Sequence, residues 1–250
     1  MSIFHKIFGS KNGPSAKQFV NPIEVEFHSH LIPAVDDGVE TLEQSLEILN
    51  GFQQMGIRKV ITTPHIMSDF YKNSRNNLIP ILGEIHTKLK EMGSKLEVEV
   101  AAEYMIDDAF IPKIEAGELL CFGPEKKHVL IELPFMTEPA IFKEALFELQ
   151  VAGYKPILAH PERYSYFAYK KSDYEELKNR GILFQVNLLS LIGYYSKPVM
   201  ETAQFLIDQK MIDVVGSDTH HIRHQQLLPE VYNSKYYKKV CELDLLNNQF

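Results

Sequence analysis

The sequence predicts an α/β fold in which the strands close, or nearly close, into a barrel. Three observations carry that prediction. Strand-like and helix-like segments alternate through seven steps, and no shift in composition divides them into separate units. The length of 250 residues is one that an α/β barrel fills as a single domain. An open doubly wound sheet is the alternative arrangement of the same elements.

Each element has its own signal. Val25 to Leu31 reads as the first strand, and Leu42 to Met55 places apolar residues at helical spacing. Lys59 to Thr63 reads as a second strand running into the polar stretch TTPH. The helix that follows, around Leu78 to Met92, carries Pro80 near its first turn, where a missing N–H is tolerated. Leu96 to Ala102 supplies a third strand. FGPEKK then marks a turn before the strand HVLIEL. A helix near Ile141 to Val151, the strand PILAHPE, a helix near Tyr174 to Asn179, the strand ILFQVN, a helix over Val199 to Asp208 and the strand within MIDVVGSDTHH complete the alternation. Residues 1–22 are expected to form an N-terminal arm and residues 23–250 the barrel domain. Within the arm, Met1 to Phe8 has the pattern of one or two amphipathic turns before a GSKNGPS connection.

Composition narrows the function classes. An apolar share of 45% suffices for a large core, and a net charge of −7 disfavours a general nucleic-acid binder. The aromatic run YSYFAYKKSDY suits packing or a substrate-facing rim better than base stacking. Cys121 and Cys241 are the only cysteines, which excludes a disulfide scaffold and suggests a reducing compartment. No apolar run is long enough to span a bilayer, and the first 20 residues lack the pattern of a signal peptide.

The polar residues at the strand ends carry the chemistry. His28 and His30 close the first strand, where an i, i+2 pair on a pleat shares one face. Asp37 follows them, His65 follows the second strand, and Glu103 the third. Glu132 ends the fourth, His160 and Arg163 follow another, and Asp218 and His220 end the last. In a barrel these ends gather on one rim. Any one of them alone could cap a helix or bond a loop. Their recurrence points to a metal centre: imidazole nitrogen and carboxylate oxygen suit Mn, Fe or Zn, and the scarcity of cysteine argues against a sulfur-dominated site. So large a set favours more than one ion, able to activate water and clamp phosphate oxygens. The chain has no Walker loop, GxGxxG loop, GxSxG elbow or Cys-x5-Arg arrangement to suggest another chemistry.

In the stretches FHSHLIPAVDDG, TPH, AAEYM, LIEL, LAHPERY and GSDTHH, taken in that order, the chain resembles the PHP superfamily of metal-dependent phosphoesterases. The likeness is greatest to the bacterial manganese-dependent tyrosine-protein phosphatases of capsule and exopolysaccharide operons. It runs from about Val25 to the end of the last strand and leaves the arm outside. The resemblance implies a distorted seven-stranded (β/α) TIM-like barrel of the PHP type with a trinuclear centre. By the same resemblance His28, His30 and Asp218 match ligands of the first metal, Glu103 a bridging carboxylate, Glu132 and His160 ligands of the second metal, and Asp37, His65 and His220 those of the third.

Arg163, in HPERY, matches an arginine that holds substrate phosphate. Arg223 is a candidate second clamp at a spacing that departs from the family pattern, and His221 and His224 are rim residues without a ligand role. The implied cofactor is Mn2+, two or three ions per chain, with Fe, Mg or Zn as alternatives. The implied substrate is phosphotyrosine on a protein, in the tyrosine-rich tail of a polysaccharide-chain-length kinase. That implies a cytoplasmic enzyme, transiently at the inner face of the membrane, with neither nucleic acid nor a transmembrane segment involved and a homo-oligomer left open. The alternatives are a phosphatase of small monoesters such as histidinol phosphate, and a metal-stabilised adaptor without activity at a membrane kinase.

Overall fold

The computed structural model describes residues 21–168 and 170–250. The expected arm, with its amphipathic turns at Met1 to Phe8, lies outside these residues apart from Asn21 and Pro22.

Among the described residues nine short strands form two sheets in which every pairing is parallel. They are β1 (Val25–Phe27), β2 (Lys59–Thr62), β3 (His65–Ile66), β4 (Glu97–Val100), β5 (Glu103–Met105), β6 (His128–Glu132), β7 (Lys155–Ala159), β8 (Leu183–Asn187) and β9 (Val214–Gly216). One sheet has the order β1-β2-β4 and the other β3-β5-β6-β7-β8-β9. The expectation of seven strands is corrected to nine, because two short strands, β3 and β5, begin just past the expected ends of the second and third at Thr63 and Ala102. Pro64, which has no N–H to donate, separates β2 from β3, and Ala101–Ala102 separates β4 from β5. Hydrogen bonds cross the breaks: Ala101 N donates to the Thr62 carbonyl at 2.9 Å and Glu103 N to that of Pro64 at 3.1 Å.

The first and last strands meet beyond their ends. Ser29 and Thr219 form a parallel bridge. His30 N donates to the Thr219 carbonyl at 2.9 Å, and Asp218 N to that of His28 at 2.8 Å. Gly216 permits the approach, since a Cβ there would stand 1.9 Å from the Phe27 carbonyl oxygen. The HxH and DxH segments therefore lie side by side although 190 residues of chain separate them.

Side chains on opposite faces of the strands enter two cores. Val25, Phe27, Ile61, Leu130, Ile157 and Val214 gather in the smaller one, where Phe122 and Phe250 pack on Phe27. Val60, Val129, Ile131, Leu158, Phe184 and Val215 join the helices in the larger. The helix Leu42–Gln54 starts at a Thr41–Gln44 capping box. The helix Arg75–Glu91 begins earlier than its apolar pattern suggested, so Pro80 sits in its second turn. Of the aromatic run, Tyr164, Phe167 and Tyr174 are buried, in keeping with packing. Among the described residues no helix is long and apolar enough to cross a membrane.

Candidate metal centre

The strand ends aim their side chains through unusual backbone. β1 stops at Phe27, so His28 is not on the pleat and the i, i+2 reasoning does not account for the pair. His28 instead turns at φ 73°, His160 follows β7 at φ 34°, and Asp218 follows β9 at φ 52°. Left-handed backbone at such residues costs about 1–3 kcal/mol each and persists only where surrounding contacts enforce it. Here each departure from the strand turns a side chain into one shared space. The Asp36–Asp37–Gly38 turn closes over His30, and a Cβ at Gly38 would stand 2.2 Å from the His30 carbonyl oxygen.

All nine residues expected as ligands come together. His28 Nε2 lies 3.0 Å from Glu103 Oε2 and 3.4 Å from Asp218 Oδ1, and His30 Nε2 lies 3.4 Å from each of the same two oxygens. His160 Nε2 is 3.0 Å from Glu103 Oε1. His65 Nδ1 is 2.7 Å from Glu132 Oε1 and 3.3 Å from Glu103 Oε2. Asp37 Oδ1 stands 3.5 Å from both His65 Nε2 and His220 Nε2. The donor atoms fall into four overlapping groups: His30, Asp37, His65 and His220; His28, His30 and Glu103; His28, His160 and Asp218; and His65, Glu103 and Glu132. Glu132 thus groups with His65 rather than with His160.

Hydrogen bonds outside the cluster fix the rings. His28 donates through Nδ1 to Gln185 Oε1 at 2.7 Å, His30 through Nδ1 to Asp36 Oδ2 at 2.8 Å, and His220 through Nδ1 to the Asp218 carbonyl at 2.9 Å. Each bond leaves Nε2 with its lone pair toward the cluster, the arrangement found around metal-binding imidazoles. Buried atoms His30 Nε2, His65 Nδ1, Glu132 Oε1 and Asp218 Oδ1 have no hydrogen-bond partner of acceptable geometry. Leaving such groups unsatisfied costs about 1–3 kcal/mol apiece. Convergent nitrogen and oxygen donors without partners fit a divalent cation.

The electrostatics agree. Burial would raise the Glu103 carboxyl, but the charges of His28 and His65 outweigh it and hold it well below the usual range. Burial likewise works on Asp218 and is overcome by His28 and His220. Glu132 is raised by burial and by the Glu103 charge beside it. Burial lowers His65, yet Glu132 and Glu103 bring it up to about 9. His160 is pushed down to about 4 by burial, with the Arg163 charge adding to it, and so is neutral near pH 7.

Arg163 sits at the edge of the cluster. Its Nη1 donates to Asp218 Oδ2 at 3.0 Å, and its guanidinium lies between the rings of Phe135, 4.6 Å away, and Tyr195, 4.4 Å away. Arg223 does not join it. That residue is exposed near the start of the helix Ile222–Asn233, and its charge acts on His221. His224 is buried and bonded through Nε2 to the Tyr194 hydroxyl at 3.0 Å.

Residues 24–242 match the family described as "Capsular polysaccharide synthesis, CpsB/CapC". The chain belongs to the CpsB/CapC family. Tyrosine-protein phosphatase YwqE of Bacillus subtilis is 29% identical over 199 residues, spanning 80% of this chain and 78% of that protein. Tyrosine-protein phosphatase CpsB of Streptococcus pneumoniae is 24% identical over 229 residues, spanning 88% of this chain and 94% of that one. A crystal structure from the study of YwqE and CpsB as metal-dependent tyrosine phosphatases superposes with a TM-score of 0.77 at 27% identity, covering 90% of this chain and 95% of the other. A phosphotriesterase homology protein of Escherichia coli shares the fold, with a TM-score of 0.52 at 12% identity over 89% of this chain and 92% of its own.

In this CpsB/CapC chain several residues that orient the cluster escaped the sequence reading. Asp36 Oδ2 accepts from His30 Nδ1 and, at 3.0 Å, from His65 N, while Oδ1 accepts from Gly38 N. Gln185 Oε1 accepts from His28 Nδ1 and from His160 N, and its amide donates to Asn187 Oδ1 at 2.9 Å. Asn187 Nδ2 in turn donates to Asp218 Oδ2 at 2.7 Å and to the Tyr195 hydroxyl at 3.0 Å. The two aspartates of DDG were a visible signal for Asp36. Gln185 and Asn187 had one in alternating along ILFQVN, which puts both on the face of β8 shared with the cluster.

Proposed function

We propose that this chain hydrolyses phosphotyrosine in proteins, using two or three divalent metal ions held by the nine-residue cluster. The observation that carries the reading is the place of Glu103. One buried carboxylate lies within 3.4 Å of nitrogens from His28, His30, His65 and His160, a position suited to bridging cations. His28, His30 and Asp218 would hold one ion and Asp37, His65 and His220 another, with Glu103, Glu132 and His160 completing the set. Bound ions supply Lewis acidity, which makes water a nucleophile near neutral pH and offsets charge on phosphoryl oxygens.

The remaining work falls to the chain itself. Asp36, Gln185 and Asn187 keep the ligand side chains in their orientations. Arg163 spends Nη1 on Asp218 and keeps other N–H groups for phosphoryl oxygens, whose charge is spread in the transition state. Access is on the side of Asp37 and Arg163, whose side chains are 54% and 24% exposed against 3% or less for His28, His30, Glu103 and His160.

Manganese is the proposed ion, supported by donors that are all imidazole or carboxylate; Fe, Mg and Zn suit the same set. The proposed protein substrate is the tyrosine-rich tail of a polysaccharide-chain-length kinase, supported by the family's link to capsule synthesis. That partner would draw a cytoplasmic enzyme transiently to the inner face of the membrane. We further propose that the two sheets form one distorted seven-position barrel, supported by the Ser29–Thr219 bridge and by the hydrogen bonds across both strand breaks. Turnover of phosphotyrosine peptides, phosphoserine peptides and histidinol phosphate by protein of measured metal content tests the assignment. Preference for phosphotyrosine supports it, preference for the small ester favours the alternative phosphatase, and metal binding without any turnover favours the adaptor.

A further inference from the structure

The two rings that enclose Arg163 are held in different ways. Tyr195 belongs to the interior network: its hydroxyl accepts from Asn187 Nδ2, which also bonds Asp218. Phe135 belongs to the surface. It lies in the loop that follows β6, three residues after Glu132, and the residue is 41% exposed. The base of that loop is fixed, because Leu133 N donates to the buried Tyr164 hydroxyl at 2.9 Å and the Tyr166 hydroxyl donates to the Pro134 carbonyl at 3.1 Å. Phe135 is therefore placed against Arg163, against His160, whose ring is 5.8 Å away and near parallel at 29°, and against Tyr164, whose ring is 5.7 Å away at 31°, while part of the residue stays in water.

An apolar ring left open between a candidate metal ligand and a phosphate-binding arginine has a use that Tyr195 cannot share. We propose that Phe135 is a specificity residue that selects aryl over alkyl phosphoesters by packing against the ring of the leaving group. The proposal rests on the phosphatase reading above. A phosphoryl group held by Arg163 lies near both rings stacked on the guanidinium, and Phe135 is the more exposed of the two, so an ester substituent directed toward solvent passes Phe135. An aromatic substituent can meet Phe135 at the 4.5–7 Å separation typical of ring pairs, whereas a short alkyl group leaves it exposed. Tyr195 is a positioning residue in this scheme. It fixes Arg163 and serves every ester alike.

Competitive inhibition by phenylphosphonate and methylphosphonate separates the two roles, since these probes share a head group and have no leaving group. Wild-type protein should bind the phenyl compound more tightly. Phe135→Ala should reduce that preference by about five- to tenfold, a size in keeping with one aromatic contact. Phe135→Leu, which keeps apolar bulk and guards against misfolding, should reduce it by less. Tyr195→Leu should weaken both inhibitors by the same factor. An unchanged phenyl-to-methyl ratio in Phe135→Ala, or equal weakening of both inhibitors, would overturn the proposal. Wild-type turnover of phosphotyrosine peptide, measured in parallel, reports separately on the underlying phosphatase reading.

Discussion

Arg163 and Asp218 form a charge-assisted hydrogen bond, Nη1 to Oδ2 at 3.0 Å, in which the arginine touches the cluster without offering it a ligand atom. Asp218 Oδ2 also accepts from Asn187 Nδ2 at 2.7 Å, so the carboxylate stays oriented when the arginine is removed. Arg163→Ala should therefore keep its metal, read by elemental analysis, while turnover falls about a hundredfold to a thousandfold, the usual loss for one transition-state donor. Arg163→Lys should recover only part, since an ammonium keeps the charge without the planar fork. Near-wild-type turnover at full metal content would remove Arg163 from phosphate handling.

Asp36 is expected to matter through His30 and His65 rather than through a metal. Its side chain is fully buried, while that of Asp37 is 54% exposed beside two imidazoles. Asp36→Ala should weaken metal binding about 10–100-fold, as loss of a ligand-orienting carboxylate does elsewhere. Titration of the metal-free protein with Mn2+ measures the change. Equal affinity in the variant would reduce Asp36 to a turn-former.

Chelation should abolish turnover and lower thermal stability together. A bound cation would give partners to the buried His30, His65, Glu132 and Asp218 atoms that no hydrogen bond satisfies. At a hundredfold excess of metal over its Kd, one site stabilises the fold by about 2.7 kcal/mol. For a chain of this length that is a rise of about 5–10 °C in Tm. Mn2+ should restore activity and Tm, and an alkali cation neither. Full turnover by protein shown to be metal-free would exclude the proposed chemistry.

The cysteines should be dispensable. Burial pushes the Cys121 thiol up to about 11, which leaves on the order of one part in a thousand as thiolate at pH 8. Iodoacetamide labelling of Cys121 at that pH should be on the order of a hundredfold slower than for a free thiol. The double variant Cys121→Ser, Cys241→Ser should turn over within about twofold of wild type. A large loss in a folded double variant would revive a covalent cysteine route.

The sequence by itself determined the kinds of donor and their rough position. Histidine and carboxylate recur where apolar strands end, and parallel strands joined by helices bring such ends to one side. That was enough to name all nine residues that now stand together, and the alternation of elements was enough to locate most strands and helices. What only the tertiary structure decided was direction and partnership. The histidines at 28 and 30 converge through a left-handed backbone at His28 that no pleat periodicity encodes. Two short strands, β3 and β5, resume after a break where the expected strands end, one at a proline whose missing donor matters only once a neighbouring strand is in place. Asp36 and Asp37 are adjacent and identical in type, yet one is buried against His30 and the other opens to solvent. Glu132 groups with His65, and Arg163 is enclosed by rings 28 residues before it and 32 after it. Donor chemistry is a property of each residue. Distances between residues far apart in the chain are fixed by the packing of the whole fold.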